Sequence, residues 1–342
     1  MAQIRDVAAR AGVSVASVSR VLSGHPGVGK DIRRRVLGAV KALDYRPDLA
    51  ARRLRSRRTD TIGLVVADIR NPFFTEVSRA VEDVAYARRM RLILCNTDED
   101  PEREASCLEL MRDENVSGVI LAPSQRLLSG FRADGYPFPL VLVDRCDPDT
   151  VADAVVLDNV EAARALTTHV IESGHRRILF LHGASSATGR QRLEGYAAAM
   201  AAYGLAAESV GVAPVVDRSR EVARVLLARP SLPDAVLASS GLILLGLTQA
   251  LRDASRSVPG DVAIAGFDDL PWTRLVDPGL TVIAQPTYDI GRTAAELLMQ
   301  RISDPDQPAR RVVLRGELVV RGSTAAANRA RPPSDARKRD HQ

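Results

Sequence analysis

Residues 12–22 read GVSVASVSRVL, and this stretch decides how the start of the chain folds. Before it, apolar residues recur at i, i+3, i+4 and i+7 from Ile4 to Ala11, which is the spacing of one helix face. Gly12 suits a tight turn, and Ser14 is a good N-cap for a second helix. The stretch therefore predicts two short helices joined by a glycine turn.

The second helix has one apolar face and one face suited to DNA. Val18, Val21 and Leu22 are predicted to point inward. The outward face carries small residues, hydroxyls and one arginine, without an acid: Ala16, Ser19, Arg20 and Ser23. Such a surface can lie flat in a major groove, so the pair of helices is typical of a helix-turn-helix. A small helical subdomain with a solvated face is the alternative.

A third helix and a basic segment follow. The buried stripe of this helix is predicted at Ile32, Val36, Val40 and Leu43. Its arginines at 33–35 are expected in solvent or near phosphates. Five closely spaced arginines then occupy residues 52–58. This segment is either a basic linker without fixed structure or one that folds only on DNA, with Leu54 wedged into the minor groove.

The net charge of +5 is unevenly distributed. Residues 1–60 hold 14 Lys and Arg against 5 Asp and Glu, residues 61–320 hold 27 against 35, and residues 321–342 hold 6 against 2. A basic head on an acidic body indicates a polyanionic partner for the head alone.

Composition excludes several other classes. The cysteines at 95, 107 and 146 form no C-x-x-C pair, which argues against a disulfide framework or a zinc site and favours a reducing compartment. Charged residues interrupt any leader-like run at the start, and no apolar stretch reaches about 18 residues. We therefore expect a cytoplasmic protein with no membrane partner, no metal and no cofactor.

From Thr61 onward, short aliphatic runs alternate with helical patterns. The runs predict strands at 62–67, 91–95, 119–122, 140–143 and 154–157, then at 178–182, 210–216, 235–238, 262–267 and 281–284. This alternation predicts an α/β body of doubly wound parallel sheets, and two such series suggest two similar lobes. A cleft at the carboxyl ends of the strands is the expected ligand site.

The chain resembles the LacI/GalR family of bacterial transcription regulators over nearly all of residues 3–325. The motifs that carry this resemblance are Asp6-Val7-Ala8, Gly12-Val13-Ser14, Val18-Ser19-Arg20-Val21-Leu22, Tyr45-Arg46-Pro47, Thr61-Ile62-Gly63-Leu64, Asn71-Pro72-Phe73-Phe74, Gly174-His175-Arg176-Arg177-Ile178, Arg192-Leu193-Glu194-Gly195-Tyr196, Gly266-Phe267-Asp268-Asp269, Gln285-Pro286 and Arg321-Gly322-Ser323. The resemblance implies a three-helix helix-turn-helix domain and a hinge helix, followed by two lobes of the periplasmic-binding-protein type I kind.

The resemblance also implies domain limits. These are a DNA-binding domain at 1–46, a hinge helix or linker at 47–60, an effector-binding and dimerisation domain at 61–325, and a disordered basic tail at 326–342. Within the third, lobe one takes about 61–158 and 286–313, and lobe two takes about 159–285 and 314–325. The chain is then expected to cross between the lobes three times.

For function, the resemblance implies a sequence-specific transcriptional regulator, most simply a repressor of carbohydrate-metabolism genes. A homodimer would bind a pseudo-palindromic double-stranded operator. A small effector, a sugar or sugar derivative, would bind between the lobes and tune operator affinity. By the family match, Val15, Ala16 and Arg20 fall on base-reading positions. The remaining DNA-binding candidates are Ser14, Ser17, Ser19, Ala51 and Leu54.

Seven residues are candidates for effector binding in the cleft. Asp268 accepts hydrogen bonds from hydroxyl groups and Arg192 donates them. Phe74 and Trp272 offer flat faces for a ring, although Trp272 is equally consistent with a buried structural role. The weaker candidates are Asn71, Thr188 and Asp144, and Asp144 alternatively ends a strand.

Departures from the family pattern leave the effector open, and two other functions compete. Ser240-Gly241 replaces an Asn-Asp pair that is frequent in the family, and an aromatic is missing near Val215, so a non-sugar effector stays open. A periplasmic-type sugar-binding protein would lack the basic head. An enzyme on these lobes would need a motif that is absent here, since there is no Walker loop, G-x-S-x-G or H-E-x-x-H. We therefore predict no catalytic residues.

Overall fold

The computed structural model describes residues 2–22, 25, 27–45, 59–128, 131–147 and 149–326. The chain forms two compact units, the first ending at Thr59 and the second beginning at Asp60. Ala51 and Leu54, the two candidates in the predicted hinge, lie outside the described residues, as does the predicted tail from residue 327.

In the described part of the first unit there are three helices, α1 (Ile4–Ala11), α2 (Val15–Leu22) and α3 (Lys30–Ala42). Its core is small, with Val7, Val18 and Val36 each 0% exposed. These are members of the apolar stripes that the sequence analysis placed inward. The predicted three-helix head is therefore confirmed.

The turn between α1 and α2 requires glycine. Gly12 has a φ of +62°, in the left-handed region. Its carbonyl accepts a 2.9 Å hydrogen bond from Nη2 of Arg35, and a Cβ added to Gly12 would lie 2.6 Å from the same nitrogen. Ser14 then caps α2, because its Oγ accepts from the backbone N–H of Ser17 at 3.2 Å.

The second unit is built from twelve strands and nine helices among the residues described. The strands are β1 (Thr61–Val66), β2 (Arg91–Asn96), β3 (Val119–Leu121), β4 (Leu140–Val143), β5 (Asp153–Leu157), β6 (Ile178–Gly183), β7 (Glu208–Val212), β8 (Ala235–Ala238), β9 (Ala263–Phe267), β10 (Thr281–Ala284), β11 (Arg311–Leu314) and β12 (Glu317–Val319). The helices are α4 (Pro72–Ala87), α5 (Pro101–Asp113), α6 (Gln125–Leu128), α7 (Asn159–Glu172), α8 (Ala187–Ala202), α9 (Val216–Leu227), α10 (Gly241–Asp253), α11 (Pro271–Leu275) and α12 (Thr287–Ser303). Two 3₁₀ turns cover Ala133–Gly135 and Gly322–Thr324.

Two six-stranded sheets organise this unit. Sheet one has the order β11-β5-β4-β3-β1-β2, and all its pairs are parallel. Helices α4 and α12 cover one face of sheet one, and α5 covers the other. Buried aliphatic residues fill the strands, as expected for a sheet covered on both sides.

Sheet two has the order β12-β10-β9-β8-β6-β7. Helices α9 and α10 pack on one face, and α7 and α8 pack on the other. The predicted doubly wound architecture is confirmed, with one antiparallel exception, since β12 runs against β10 and pairs Val319 with Val282. Neither β11 nor β12 was among the predicted strands.

One predicted strand is misplaced. The sequence analysis put a strand at 210–216, but β7 ends at Val212 and α9 begins at Val216. Pro214 lies between them and has no N–H to donate to a sheet, which is why the strand cannot continue. Val215 consequently lies at the start of a helix and not in the sheet.

Three chain segments join the two sheets, and they lie side by side. The first leads from β5 into α7, the second from β10 into α12, and the third from β11 to β12. A Cβ added to Gly316 in the third segment would lie 2.6 Å from Ile283 and 3.5 Å from Leu157. Ile283 is the next to last residue of β10 and Leu157 is the last residue of β5, so both lie beside the starts of the other two segments. We call these three adjacent segments the interlobe hinge, which is distinct from the hinge helix predicted at 47–60.

Candidate functional site

Helix α2 presents the candidate DNA-reading side chains on an open face. Val15 is 37% exposed, Ala16 and Arg20 are exposed, and Ser17 and Ser19 are half-buried. The sixth candidate of this region, Ser14, uses its hydroxyl to cap the helix. The structure thus brings these six candidates together at one short helix, with Val15, Ala16 and Arg20 exposed on it.

The arginines of α3 support the head as well as carrying charge. Arg33 donates to the carbonyl of His25 at 3.2 Å, and Arg35 donates to the carbonyl of Gly12. Arg34 pairs with Asp31 of its own helix while its side chain stays 82% exposed. The sequence analysis placed these arginines in solvent or near phosphates. Two of them, Arg33 and Arg35, also hold the loops on either side of α2 in place.

The second unit contains a cavity of about 290 Å³ between its two lobes. Loops that follow β1, β2 and β4 line it from sheet one, and loops that follow β6, β7, β8, β9 and β10 line it from sheet two. These are the carboxyl ends of parallel strands, where open α/β sheets bind ligands.

Six of the seven effector candidates line this cavity. They are Asn71, Phe74, Asp144, Thr188, Arg192 and Asp268. The expected cleft position of Trp272 is wrong, because Trp272 packs against the apolar core between sheet two and helices α9 and α10. Pro271 starts a short helix immediately after the cleft loop, and this helix carries Trp272 onto the core.

Arg192 is 4% exposed and lies on the floor of the cavity. Its Nε donates to Oδ1 of Asn159 at 2.8 Å, its Nη1 donates to the carbonyl of Ser239, and its Nη2 donates to Oε1 of Gln285 at 3.3 Å. The guanidinium carbon also lies 3.9 Å from the centre of the Phe267 ring, a cation–π distance. Asn159 lies where the first joining segment enters α7, and Gln285 begins the second joining segment, so Arg192 connects the cavity to the interlobe hinge.

Asp268 lies beside Arg192 and is 7% exposed. Its φ of +76° turns the chain sharply after β9, and Oδ2 accepts from the N–H of Gly241 at 2.7 Å while Oδ1 accepts from Nε2 of Gln285 at 2.6 Å. Burial lowers the pKa of Arg192, and the nearby charge of Asp268 acts in the opposite direction. Asp268 and Arg192 thus supply an acceptor and a donor held in fixed positions.

A second buried arginine lies on the opposite lobe. Arg145 is 5% exposed, donates two 2.8 Å hydrogen bonds to the carboxylate of Glu99 and a third of 3.0 Å to Asp144. Although burial acts to lower the pKa of Arg145, the Asp144 and Glu99 carboxylates raise it above its ordinary value. Asp144 follows β4 with a φ of +71°, so it both ends the strand and faces the cavity.

The remaining candidates provide an apolar face and hydroxyls. Phe74 packs edge-on against Phe73 with ring centroids 5.0 Å apart. Asn71 caps α4 by accepting from the N–H of Phe73 at 3.1 Å. On the other lobe, Thr188 lies with its Oγ1 2.6 Å from Oγ of Ser186. Such a set of acceptors, donors and one ring face can hold a small polar molecule with carbon–hydrogen faces.

The sequence analysis missed several polar residues of the cavity. These are Asp68, Arg70, Asp98, Glu99, Arg145 and Gln285, although Gln285 appeared in a family motif. All of them closely follow the predicted strands at 62–67, 91–95, 140–143 and 281–284. Their position just after strand ends was the signal that could have identified them.

Other reactive side chains have structural partners. Nε2 of His169 lies 2.9 Å from Oγ1 of Thr324, and Nε2 of His175 lies 3.2 Å from the carbonyl of the same threonine. Burial lowers the pKa of His169. Within the part of the chain that the structure describes, no group of three or more His, Cys, Asp or Glu is placed to hold a metal ion, and no helix is long and apolar enough to cross a bilayer.

Two parts of the chain match known protein families. Residues 3–48 match bacterial regulatory proteins of the lacI family, and residues 167–324 match a periplasmic binding protein-like domain. The first match covers the head with helices α1, α2 and α3. The second covers most of the lobe built on sheet two, together with α12, β11 and β12.

Similar proteins extend over nearly the whole chain. The ribose operon repressor of Halalkalibacterium halodurans is 36% identical over 95% of this chain and 97% of its own length. The transcriptional regulator PtxS of Pseudomonas aeruginosa is 38% identical over 94% of this chain and 95% of its own length. A lac repressor dimer bound to operator and an anti-inducer shares the fold, with a TM-score of 0.84 at 23% identity over 95% of this chain and 99% of the other.

Proposed function

This chain belongs to the LacI family of bacterial regulatory proteins, and from that premise we propose that it represses carbohydrate-metabolism genes by binding a pseudo-palindromic operator as a homodimer. A small effector in the interlobe cavity sets its operator affinity. The observation that carries this proposal is Arg192, whose guanidinium reaches the cavity and both neighbouring hinge segments at once. The relatives named above are regulators of transcription, and this chain is a DNA-binding regulator and not an enzyme.

The DNA contacts are assigned to α2 and to the basic segment after the head. Arg20 is exposed and has the geometry to donate two hydrogen bonds to a guanine edge. Val15 and Ala16 offer apolar contact, for example to a thymine methyl group. Because direct base contacts are few, groove shape and a minor-groove wedge at Leu54 supply much of the specificity. On this proposal the protein acts on the bacterial chromosome in the cytoplasm.

The effector contacts are assigned to the six candidates that line the cavity together with Gln285. Asp268 and Arg192 accept from and donate to the effector, and Phe74 packs against a face of it. A bound effector competes for the hydrogen bonds that Gln285 makes to Arg192 and Asp268. Because Gln285 lies in the second hinge segment, this competition changes the orientation of one lobe relative to the other.

The homodimer is assigned to the outer edge of sheet one. Strand β2 is an edge strand, and helices α4 and α5 contact it. Leu94 lies in β2 and is 44% exposed, Leu110 in α5 is 42% exposed, and Tyr86 in α4 is 82% exposed. An open strand edge beside apolar residues favours pairing with a second copy. A two-fold dimer would present its two heads to two half-sites, so the proposed operator is pseudo-palindromic.

The test measures operator binding by the purified full chain. A labelled duplex from the region upstream of its own gene is titrated by fluorescence anisotropy at about 50 and 200 mM salt, since phosphate contacts make affinity fall steeply with salt. A thermal-shift screen of sugars and sugar phosphates identifies the effector, and each hit is added to the titration. Tight binding relative to a scrambled duplex, altered by a hit, supports the proposal. Equal affinity for both duplexes with every hit contradicts it.

A further inference from the structure

Every guanidinium group that lines the cavity already has partners within the protein. Arg70 donates to Asp68 at 2.8 Å, and Arg145 donates two 2.8 Å bonds to Glu99. Arg192 donates to an amide oxygen, a backbone carbonyl and a second amide oxygen. A ligand phosphate or carboxylate would have to displace these partners, which include four carboxylates once Asp98 beside Arg70 and Asp144 beside Arg145 are counted.

Three of the four helix ends at the cavity are also capped. Helices α4, α8, α9 and α10 begin there, and the free N–H groups of such ends are the usual places for an anion. Three have a side-chain cap: Asn71 accepts from Phe73 at 3.1 Å, Ser186 from Gly189 at 3.3 Å and Ser240 from Ile243 at 3.4 Å. The N-cap of α9, Val215, provides no side-chain cap, but the first turn of α9 carries the carboxylate of Asp217. A fourth N–H, that of Gly241 in α10, is taken by the carboxylate of Asp268 at 2.7 Å.

Charge in the cavity is negative in balance. The lining contains five carboxylates against three guanidinium groups, and within the described residues it contains no lysine and no histidine. The carboxylates are Asp68, Asp98, Glu99, Asp144 and Asp268. Arg103 does not line the cavity. It forms an ion pair with Asp98, and its side chain is 59% exposed to solvent. In a partly water-excluded site this balance repels an added negative charge and suits hydroxyl donors.

We propose that the effector is an uncharged polyhydroxylated molecule, of the size of a monosaccharide, and that the cavity discriminates against the phosphorylated and carboxylate forms of the same carbon skeleton. This inference rests on the proposed function, which assigns the effector to the cavity. The volume of about 290 Å³ lies just below the range of about 300–1,000 Å³ that is usual for ligand pockets, so the cavity suits a small molecule.

The test compares matched ligands by isothermal titration calorimetry with the full chain. The probes are D-ribose with ribose 5-phosphate, D-glucose with glucose 6-phosphate and gluconate, and D-galactose and D-fructose with their phosphates. The inference predicts that a neutral sugar binds and that its anionic forms bind at least about tenfold more weakly. It is overturned if an anionic form binds more tightly than its neutral parent, or if neutral sugars fail to bind while a compound of another class does.

These outcomes are separable from failure of the proposed function. An anionic ligand that binds the cavity and changes operator affinity overturns the charge inference and leaves the regulator intact. A neutral sugar that binds without any change in operator affinity supports the charge inference and contradicts the proposed regulation.

A charge variant tests the cause of the discrimination. Glu99→Gln removes one carboxylate from Arg145 and is expected to raise the affinity for the phosphate relative to the neutral parent by about fivefold. Asp134→Asn is the matched control, because Asp134 carries the same charge on an exposed loop, pairs with Arg132 and does not line the cavity. The control is expected to leave the ratio unchanged. An unchanged ratio in Glu99→Gln, with an unaltered melting temperature, contradicts the role of the carboxylates.

Discussion

The side-chain amide of Gln285 donates a 2.6 Å hydrogen bond to the carboxylate of Asp268. Asp268 lies at the end of β9 in the cavity, whereas Gln285 follows β10 in the second segment that joins the lobes. The oxygen of the same amide accepts from Arg192, which also donates to Asn159 where the first joining segment enters α7. Occupancy of the cavity and the arrangement of the hinge therefore depend on one shared group of hydrogen bonds.

Replacing Gln285 should uncouple the effector from DNA. Gln285→Leu removes both hydrogen bonds and leaves a buried arginine and a buried carboxylate each short of a partner. A hydrogen bond to a charged group contributes about 1.5–3 kcal/mol of free energy. We expect the ratio of operator affinities with and without effector to fall at least about fivefold toward one. Anisotropy titrations measure this ratio.

The control for this variant is Gln300→Leu. Gln300 is exposed on α12 and accepts a hydrogen bond from Arg310 outside the cavity. Gln300→Leu should retain the full effector response. A full response in Gln285→Leu would mean that the hinge is linked to the cavity by other contacts.

Removing the side chain of Arg20 should weaken operator binding. If Arg20 reads a base edge, Arg20→Ala costs about 1–3 kcal/mol with the specific operator and relaxes preference at one base position. Arg10→Ala provides the matched loss of charge on α1 of the same head. Gel-shift assays with operator and scrambled duplexes measure both variants. Equal effects of the two substitutions on both duplexes would show that Arg20 contributes charge and not base recognition.

A methyl group at Gly12 should destabilise the head. The φ of +62° and the 2.6 Å approach to Arg35 both oppose a Cβ, so Gly12→Ala is expected to cost at least about 1 kcal/mol. Gly29→Ala is the control, since no atom lies within 4 Å of its added Cβ. Hydrogen–deuterium exchange of the peptides that span α1 and α2 measures the difference. Similar exchange rates in the two variants would rule out a strained requirement for glycine at the turn.

His169 should make the second lobe less stable in acid. Burial lowers the pKa of His169 below its ordinary value near 6.5, so the unfolded chain takes up a proton that the folded chain resists. The free energy of unfolding is therefore unaffected by His169 above about pH 6.5, and it falls as the pH drops below that value. His175 reinforces the shift and Glu172 opposes it.

The measurement is urea unfolding followed by fluorescence of Trp272, the single tryptophan, at pH 7.5 and pH 5.5. His169→Gln keeps a hydrogen-bonding group toward Thr324 without a titrating ring, so its loss of stability between these pH values should be smaller than that of the parent. The control is His25→Gln, an exposed histidine of the other unit, which should behave as the parent. Equal losses in all three proteins would contradict the assignment.

Local patterns were sufficient to predict much of the fold. The apolar stripes of α1, α2 and α3 and the buried runs of sheet one are local signals, and the structure places them as expected. The same patterns missed β11 and β12, because these strands are short and half exposed. The same patterns also extended the predicted strand at 210–216 through Pro214. The only local signal for the end of that strand is the N–H group that proline lacks.

The cavity was predictable where a residue follows a strand or belongs to a family motif, as Asp268 and Arg192 do. The bidentate pair of Arg145 with Glu99 was not predictable, because it joins loops 46 residues apart and depends on the order of β1, β2, β3 and β4 in the sheet. Trp272 was misplaced for a similar reason. Its neighbourhood in sequence is the cleft loop, but the direction of α11 turns it onto the core.

The central claim is that one protein couples operator DNA to a small molecule in the cavity, and thermodynamic reciprocity tests this claim most directly. The affinity of the identified effector is measured by calorimetry for the free protein and for the protein saturated with operator duplex. We predict that operator changes effector affinity by the same factor by which effector changes operator affinity. An effector affinity that is identical with and without operator, in a protein whose operator binding the effector alters, would contradict the account.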